Sequence, residues 1–132
     1  MTIFTQETTT ADFVRNSMQD GGGTLFPNIS TAPNVGYMVG RSDLMPSVTL
    51  EDVTHTSTSL LMAVERAREL ARVANEYAGK YRLSVGIWKS ADGVVWVDLS
   101  EHMDTLEEAA ELGKSLGELA IYDISAGECI NL

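Results

Sequence analysis

His102 is the residue of this sequence best placed for acid–base chemistry. It follows Glu101, and Asp98 and Asp104 are close by in the sequence. A histidine beside a carboxylate can act as a general base, because the carboxylate orients the ring and stabilises its protonated form. The same pattern is typical of a surface histidine without any catalytic role. We therefore assign no catalytic residue, and keep a small enzyme that uses His102 with Asp98 or Glu101 as a second alternative.

The other reactive residue types give weaker signals. His55 lies among hydroxyl side chains just before a long helix, where a loop or helix-cap position is expected. Cys129 precedes Ile130 in a terminal strand, and a buried free cysteine is more typical there than a nucleophile. One cysteine and two histidines without metal-ligand spacing predict no disulfide, no metal site and no cofactor. The segment Gly21-Gly22-Gly23-Thr24 precedes a strand, so it lacks the geometry of a phosphate-binding loop.

An alternation of apolar residues with period two predicts a β-hairpin over residues 83–99. A three-residue loop that ends on a left-handed Gly93 would pair Ser90 with Val94 and Trp88 with Trp96. A two-residue loop would mix the two faces of the hairpin, which the burial of one face forbids. In the first register one face collects the aliphatic residues Leu83, Val85, Ile87, Val95, Val97 and Leu99.

Trp88 and Trp96 then lie side by side on the opposite face, together with Gly86 and Asp98. One interpretation is that the pair stabilises the hairpin, or that the N-terminal segment covers it. The other is an exposed aromatic patch for partner binding or self-association, because tryptophan is enriched at binding hot spots and the small Gly86 leaves a groove. We predict that these four residues form the partner-binding surface.

The acidic balance of the chain disfavours direct binding to nucleic acid or to anionic membranes. The 132 residues include 19 acidic and 9 basic side chains, for a net charge of −10, and the pI is about 4.4. Residues 101–132 contain eight acids and one base. Such a region is either a solvated face that keeps the protein soluble or a surface complementary to a basic partner.

Much of this charge falls on a predicted helix from Asp104 to about Leu116, with Asp104 as its N-cap. Glu107, Glu108 and Glu111 project from it, and they are the second candidate partner-binding surface. A helix N-terminus favours acids through its dipole, which explains the first two without any function.

The order of elements predicts an α+β fold. It reads helix, two or three strands, long helix, hairpin, helix, and one or two strands. We expect a mainly antiparallel sheet of about five or six short strands, with one long and one or two shorter helices packed on the aliphatic face. Residues 24–26 and 35–40 are expected to pair as a hairpin. Residues 1–10 are predicted to be a flexible segment and residues 11–132 a single domain.

Neither a signal-peptide pattern nor an apolar run near 18 residues is present, so we predict a cytoplasmic protein that does not span a membrane.

Several motifs resemble those of small acidic accessory proteins encoded by phages of actinobacteria, over roughly residues 20–132. The motifs are Gly21-Gly22-Gly23-Thr24, Gly36-Tyr37-Met38-Val39-Gly40, Gly86-Ile87-Trp88 with a following strand that contains Asp98, and Gly117 to Asp123 followed by Gly127-Glu128. They look structural, and the family has no assigned activity, so no functional residue is carried over. The resemblance implies an accessory protein that binds a host protein or counteracts a host defence.

The leading hypothesis is thus a non-enzymatic protein that binds a host protein, for example one of defence or nucleic-acid processing. The first alternative is a small-molecule or signalling-nucleotide binding protein, for which Arg41, Lys80, Arg82 and Lys89 would have to gather. Length does not decide the oligomeric state, and a homodimer through an open strand edge or the tryptophan face stays open.

Overall fold

A mixed, curled sheet of eight strands with three helices accounts for most of the described residues. The computed structural model describes residues 2–51, 57–90 and 93–132. In chain order the elements are β1 (Thr2–Phe4), α1 (Thr10–Asp20), β2 (Gly22–Leu25), β3 (Tyr37–Gly40), β4 (Val48–Glu51), α2 (Ser57–Glu76), β5 (Leu83–Lys89), β6 (Val94–Met103), α3 (Leu106–Ser115), β7 (Ala120–Asp123) and β8 (Glu128–Asn131).

The hairpin of β5 and β6 lies at the centre of the sheet, and its predicted register is confirmed. Trp88 pairs with Trp96. The Ser90 N–H donates to the Val94 carbonyl over 2.9 Å, and Gly93 has a φ of +84°, a left-handed conformation that glycine adopts at little cost. The other two residues of the loop lie outside the described residues.

β6 organises the rest of the sheet because it is ten residues long. One edge pairs with β5, beyond which lie β2 and β1. The other edge pairs first with β4 and then with β3, and β7 and β8 follow β3. β1 runs parallel to β2, so the sheet is mixed rather than mainly antiparallel, and it has more strands than expected.

The expected hairpin between residues 24–26 and 35–40 is wrong. β2 pairs with β5, whereas β3 pairs with β6 and β7. The β5–β6 hairpin therefore lies between these two strands. Sequential neighbours often pair, but here a hairpin with a tight turn and long strands takes the central position.

The N-terminal segment contains a strand where the sequence predicted flexibility. β1 pairs with β2 from Thr2 to Phe4, and the Phe26 N–H donates to the Phe4 carbonyl over 2.9 Å. The Phe4 ring meets the Phe13 ring edge-on with centroids 5.6 Å apart. Three residues are too few to show an alternation in the sequence, so the pattern could not predict this strand. The strand is held by these contacts with β2 and α1.

The three helices occur where the predicted order of elements places them. α1 is capped by Thr9, whose side chain accepts from the Asp12 N–H over 3.2 Å. α2 buries alanines at Ala63, Ala67 and Ala74, and these small side chains allow the helix to approach the sheet closely. His55 lies outside the described residues. No helix in the described ranges is both long and apolar enough to cross a lipid bilayer.

All three helices pack on the same face of the sheet. α1 and α2 cover the aliphatic residues of β5 and β6. α3 places Ala109 against Val39 and Ile121. Val39 pairs with Glu101, and alternation along β6 puts Glu101 on the same face as Val97 and Leu99. The other face of the sheet carries none of the described helices.

Between the two apolar clusters of the helix face lies a buried arginine. Arg41 forms an ion pair with Glu101 and two hydrogen bonds of 3.0 Å with Asp43. Its guanidinium carbon is 4.7 Å from the centre of the Tyr81 ring. The hydrogen bond from Arg41 holds the pKa of Asp43 below its usual value. This group fixes the connection between β3 and β4 onto β6.

We expect Arg41→Met to lower the free energy of unfolding by about 3 kcal/mol, because Glu101 is then buried without its partner. Urea denaturation measures this change. The double variant Arg41→Met/Glu101→Gln should regain part of the loss, since no unpaired charge is left. Additive losses in the double variant would contradict this account of the ion pair.

Candidate functional site

The helix-free face of the sheet is divided into a covered half and an open half. Residues 27–36 cover the end that carries Phe26 and His102, both of which are buried. His102 Nε2 lies 2.8 Å from the Val35 carbonyl oxygen, and its ring meets Phe26 edge-on with centroids 6.2 Å apart. The N-terminal segment forms a strand beside β2. The tryptophan end of the face is therefore left open.

Trp88 and Trp96 are 36% and 43% exposed at this open end. The Trp88 ring meets the Tyr122 ring edge-on, with centroids 6.0 Å apart. Trp88 is on β5 and Tyr122 is on β7, three strand spacings or roughly 14 Å across a flat sheet. Their partner positions on β6, Trp96 and His102, are also roughly 20 Å apart along that strand. The sheet must therefore curl toward its helix-free face, and the two side chains reach across a concave surface.

Small residues form the floor of this surface. Gly86 lies opposite Asp98, and a Cβ on Gly86 would stand 2.5 Å from Asp98 Oδ1. A Cβ on Gly40 would stand 2.9 Å from Glu118 Oε1. Each carboxylate thus lies close over a glycine. We call this surface the open trough, and it comprises Gly40, Gly86, Trp88, Trp96, Asp98, Glu118 and Tyr122.

Within the open trough, Asp98 has the pKa that departs furthest from its usual value. Its Oδ1 atom is buried, and it has no hydrogen-bond partner among the described residues. Burial, reinforced by repulsion from Glu118, raises the pKa of Asp98 to about 7. Burial and the charge of Asp43 also raise the pKa of Glu118. An unpartnered buried carboxylate is costly in its charged form, so Asp98 would gain from a bound cation or a hydrogen-bond donor.

Among the described residues, no carboxylate forms a hydrogen bond with the His102 ring. Glu101 points to the helix face, where it pairs with Arg41. Asp98 is four residues earlier in the same strand, roughly 13 Å away. Asp104 pairs with Arg82 over 3.0 Å. This contact, with a smaller effect of His102, lowers the pKa of Asp104. The one hydrogen-bond contact described for the His102 ring is with a backbone carbonyl.

The expectation of a buried Cys129 is wrong, because this side chain is exposed. β8 is an edge strand that pairs only with β7 in the described sheet. Cys129 lies opposite Tyr122, on the face of the sheet away from α3. Among the described residues, no group of three or more histidine, cysteine or acidic side chains could hold a metal ion.

The acidic helix begins one residue later than predicted. Thr105 is the N-cap of α3, and it exchanges hydrogen bonds with the Glu108 N–H (3.2 Å) and side chain (2.8 Å). Glu107, Glu108 and Glu111 are all exposed. Because α3 packs on the helix face, these acids lie on the other side of the sheet from Trp88 and Trp96. The two predicted binding surfaces are therefore separate.

The basic residues considered for a nucleotide are only partly brought together. Lys80 and Arg82 share a shallow pocket of about 300 Å³ with Glu101 and Glu108. Arg41 is engaged by Asp43 and Glu101. Lys89 is at the other end of β5. A second cavity of about 100 Å³ is lined by Phe26, Asn28, Ile29, Pro33, Arg82 and His102.

Sequence reasoning placed Gly86, Trp88, Trp96 and Asp98 on one face and missed Tyr122, Glu118 and Gly40. The alternation in residues 119–124 could have placed Tyr122 on one face of its own strand. It could not show that β7 joins the sheet through β3, which is what brings Tyr122 to Trp88.

No family model, curated protein or solved structure matches this chain. The resemblance to phage proteins therefore stays a prediction.

Asp98 gives the stability of the protein a definite pH dependence. With a pKa of about 7 in the folded state against 3.8 as its model value, the folded state retains this proton between about pH 4 and pH 7 while the unfolded state loses it. This group therefore lowers stability progressively as the pH rises through that range. We expect Asp98→Asn to be more stable than the native chain by about 2 kcal/mol at pH 8 and by much less at pH 4.

Thermal or urea unfolding of both proteins from pH 4 to pH 8 measures this difference. The control is Asp12→Asn, because Asp12 is an exposed carboxylate on α1. A stability difference between Asp98→Asn and the native chain that does not change with pH would contradict the raised pKa.

Proposed function

We propose that this protein is a non-catalytic binding protein, and that it contacts a partner protein through the open trough. The observation that carries the proposal is the adjacent exposure of Trp88 and Trp96 on a concave surface with a glycine floor. Tryptophans surrounded by small residues are typical of binding hot spots, because a partner side chain can enter and exclude water. The trough is open to solvent, as a protein-binding surface must be.

A macromolecular partner is favoured over a nucleotide by size and charge. Small-molecule sites typically occupy about 300–1,000 Å³, whereas the cavity beside His102 has about 100 Å³. The larger pocket at Lys80 and Arg82 also contains Glu101 and Glu108, which would repel phosphate groups. The open trough itself contains Asp98 and Glu118.

The partner we propose is a host protein, as the resemblance to accessory proteins of actinobacterial phages implies. A net charge of −10 favours encounter with a basic surface. Many proteins that process nucleic acid present such surfaces, because they bind phosphates through lysine and arginine.

Trp88→Ala should weaken partner binding by more than 1 kcal/mol, about fivefold or more in Kd, if the open trough is the binding surface. The partner is first isolated from host lysate with the native chain, and calorimetry then measures its affinity for each variant. Leu61→Ala is the matched control, because Leu61 is 56% exposed on α2. Native affinity in a folded Trp88→Ala variant would exclude the open trough.

The double variant Glu107→Gln/Glu111→Gln tests the acidic helix separately. We expect it to slow association modestly and to leave the dissociation rate unchanged, because peripheral charges act mainly on encounter. Surface plasmon resonance at two salt concentrations measures both rates. A much faster dissociation would move the binding surface from the open trough to α3.

A further inference from the structure

We infer that the open trough receives an arginine side chain of the partner protein, with the guanidinium group held by Asp98 and stacked on the neighbouring aromatic rings. This inference rests on the proposed function, and it specifies the chemistry that the partner must present.

The described part of the chain does not compensate the carboxylate of Asp98. Its Oδ1 atom is buried against Gly86, so an incoming donor would meet the other carboxylate oxygen. Within the described ranges, no salt bridge or hydrogen bond reaches its Oδ1 atom. Two arginines near this region are engaged elsewhere, since Arg41 pairs with Asp43 and Glu101 and Arg82 pairs with Asp104. The charge that acts on Asp98 is that of another carboxylate, Glu118. Among the described residues, no cation compensates the charge of Asp98, and the two carboxylates repel anions.

The aromatic rings of the trough are close enough to Asp98 to contact a cation bound there. The position of a Cβ on Gly86 is 2.5 Å from Asp98 Oδ1 and 3.6 Å from Trp88 Nε1. The Tyr122 ring lies against Trp88 from the other side of the trough. A cation held by Asp98 is thus within reach of two ring systems, and tryptophan is the ring that attracts cations most strongly.

Arginine fits this arrangement better than lysine. Its planar guanidinium can donate to a carboxylate and stack on an indole at the same time. It is also less strongly hydrated than an ammonium group, so entering a half-buried trough is less unfavourable. A substitution of Gly86 would fill the space beside the carboxylate, which accounts for a glycine at this point of the strand.

The groups that face Asp98 determine how binding depends on pH. Glu118, which precedes β7, is the acidic group that acts on Asp98. Asp43, which is paired with Arg41, acts in turn on Glu118. Burial raises the pKa of Tyr122, so its phenol stays neutral. Only ionised Asp98 attracts a guanidinium strongly. Affinity should therefore rise about tenfold between pH 6 and pH 8 as Asp98 ionises.

A peptide titration tests this inference without knowledge of the partner. The probes are a blocked peptide with one arginine between glycines and the same peptide with citrulline, which has a similar shape without the charge. The two indole N–H signals in an NMR spectrum report directly, because the chain has two tryptophans and both line the trough. We expect saturable shifts with the arginine peptide and a Kd at least fivefold higher with citrulline.

Asp98→Asn should weaken arginine binding about tenfold, and Glu65→Gln should leave it unchanged. Glu65 is the matched control, because it is exposed on α2 at the helix side of the sheet. If Asp98→Asn fails to fold, the tenfold rise with pH in the native chain decides the question.

Equal affinity for both peptides, or arginine binding that neither Asp98→Asn nor pH alters, would overturn the inference. The proposed function would still hold after that result if the Trp88→Ala variant no longer bound the partner protein. The proposed function would be contradicted independently if the Trp88→Ala variant bound the partner protein with native affinity.

Discussion

The seven residue pairs that join β5 to β6 determine which side chains face the helices and which face the open trough. Side chains alternate across a strand, so a slip of one residue would carry the aliphatic set to solvent and the tryptophans into the core. Burial of Val85, Ile87, Val95 and Val97 under α1 and α2 prevents this slip. The apolar core thereby also fixes Trp88 opposite Trp96 and Gly86 opposite Asp98.

The length of β6 lets further strands join this two-sided hairpin. β4 and β3 pair in succession along one edge of β6, and β3 in turn pairs with β7. The curled sheet brings Tyr122 to Trp88 and leaves Asp98 beside them, with no hydrogen bond from a described residue to its Oδ1. The raised pKa of Asp98 is a consequence of the same arrangement. Residues 27–36 cover the far end of this face, so the tryptophan end is the part that is open to solvent.

Sequence patterns predicted the elements whose signals are local. The hairpin register followed from alternation and Gly93, and α2 followed from its apolar periodicity. The predicted N-cap of α3 was wrong by one residue. Asp104 and Thr105 can both act as N-caps, and each is followed three positions later by a glutamate, so the pattern does not distinguish them. The separation of β2 from β3, the Arg41–Glu101 ion pair and the contact of Tyr122 with Trp88 join residues far apart in the chain. Such contacts depend on the order of strands, which periodicity does not specify.

The central claim is that a partner covers the open trough, and quenching of tryptophan fluorescence by acrylamide tests it most directly. Both tryptophans of the chain lie in the trough, so with a partner that lacks tryptophan, or with its tryptophans replaced, the whole signal comes from this site. The account predicts efficient quenching in the free protein and strong protection at saturation with the partner. Equal quenching in the free protein and in the saturated complex would contradict it.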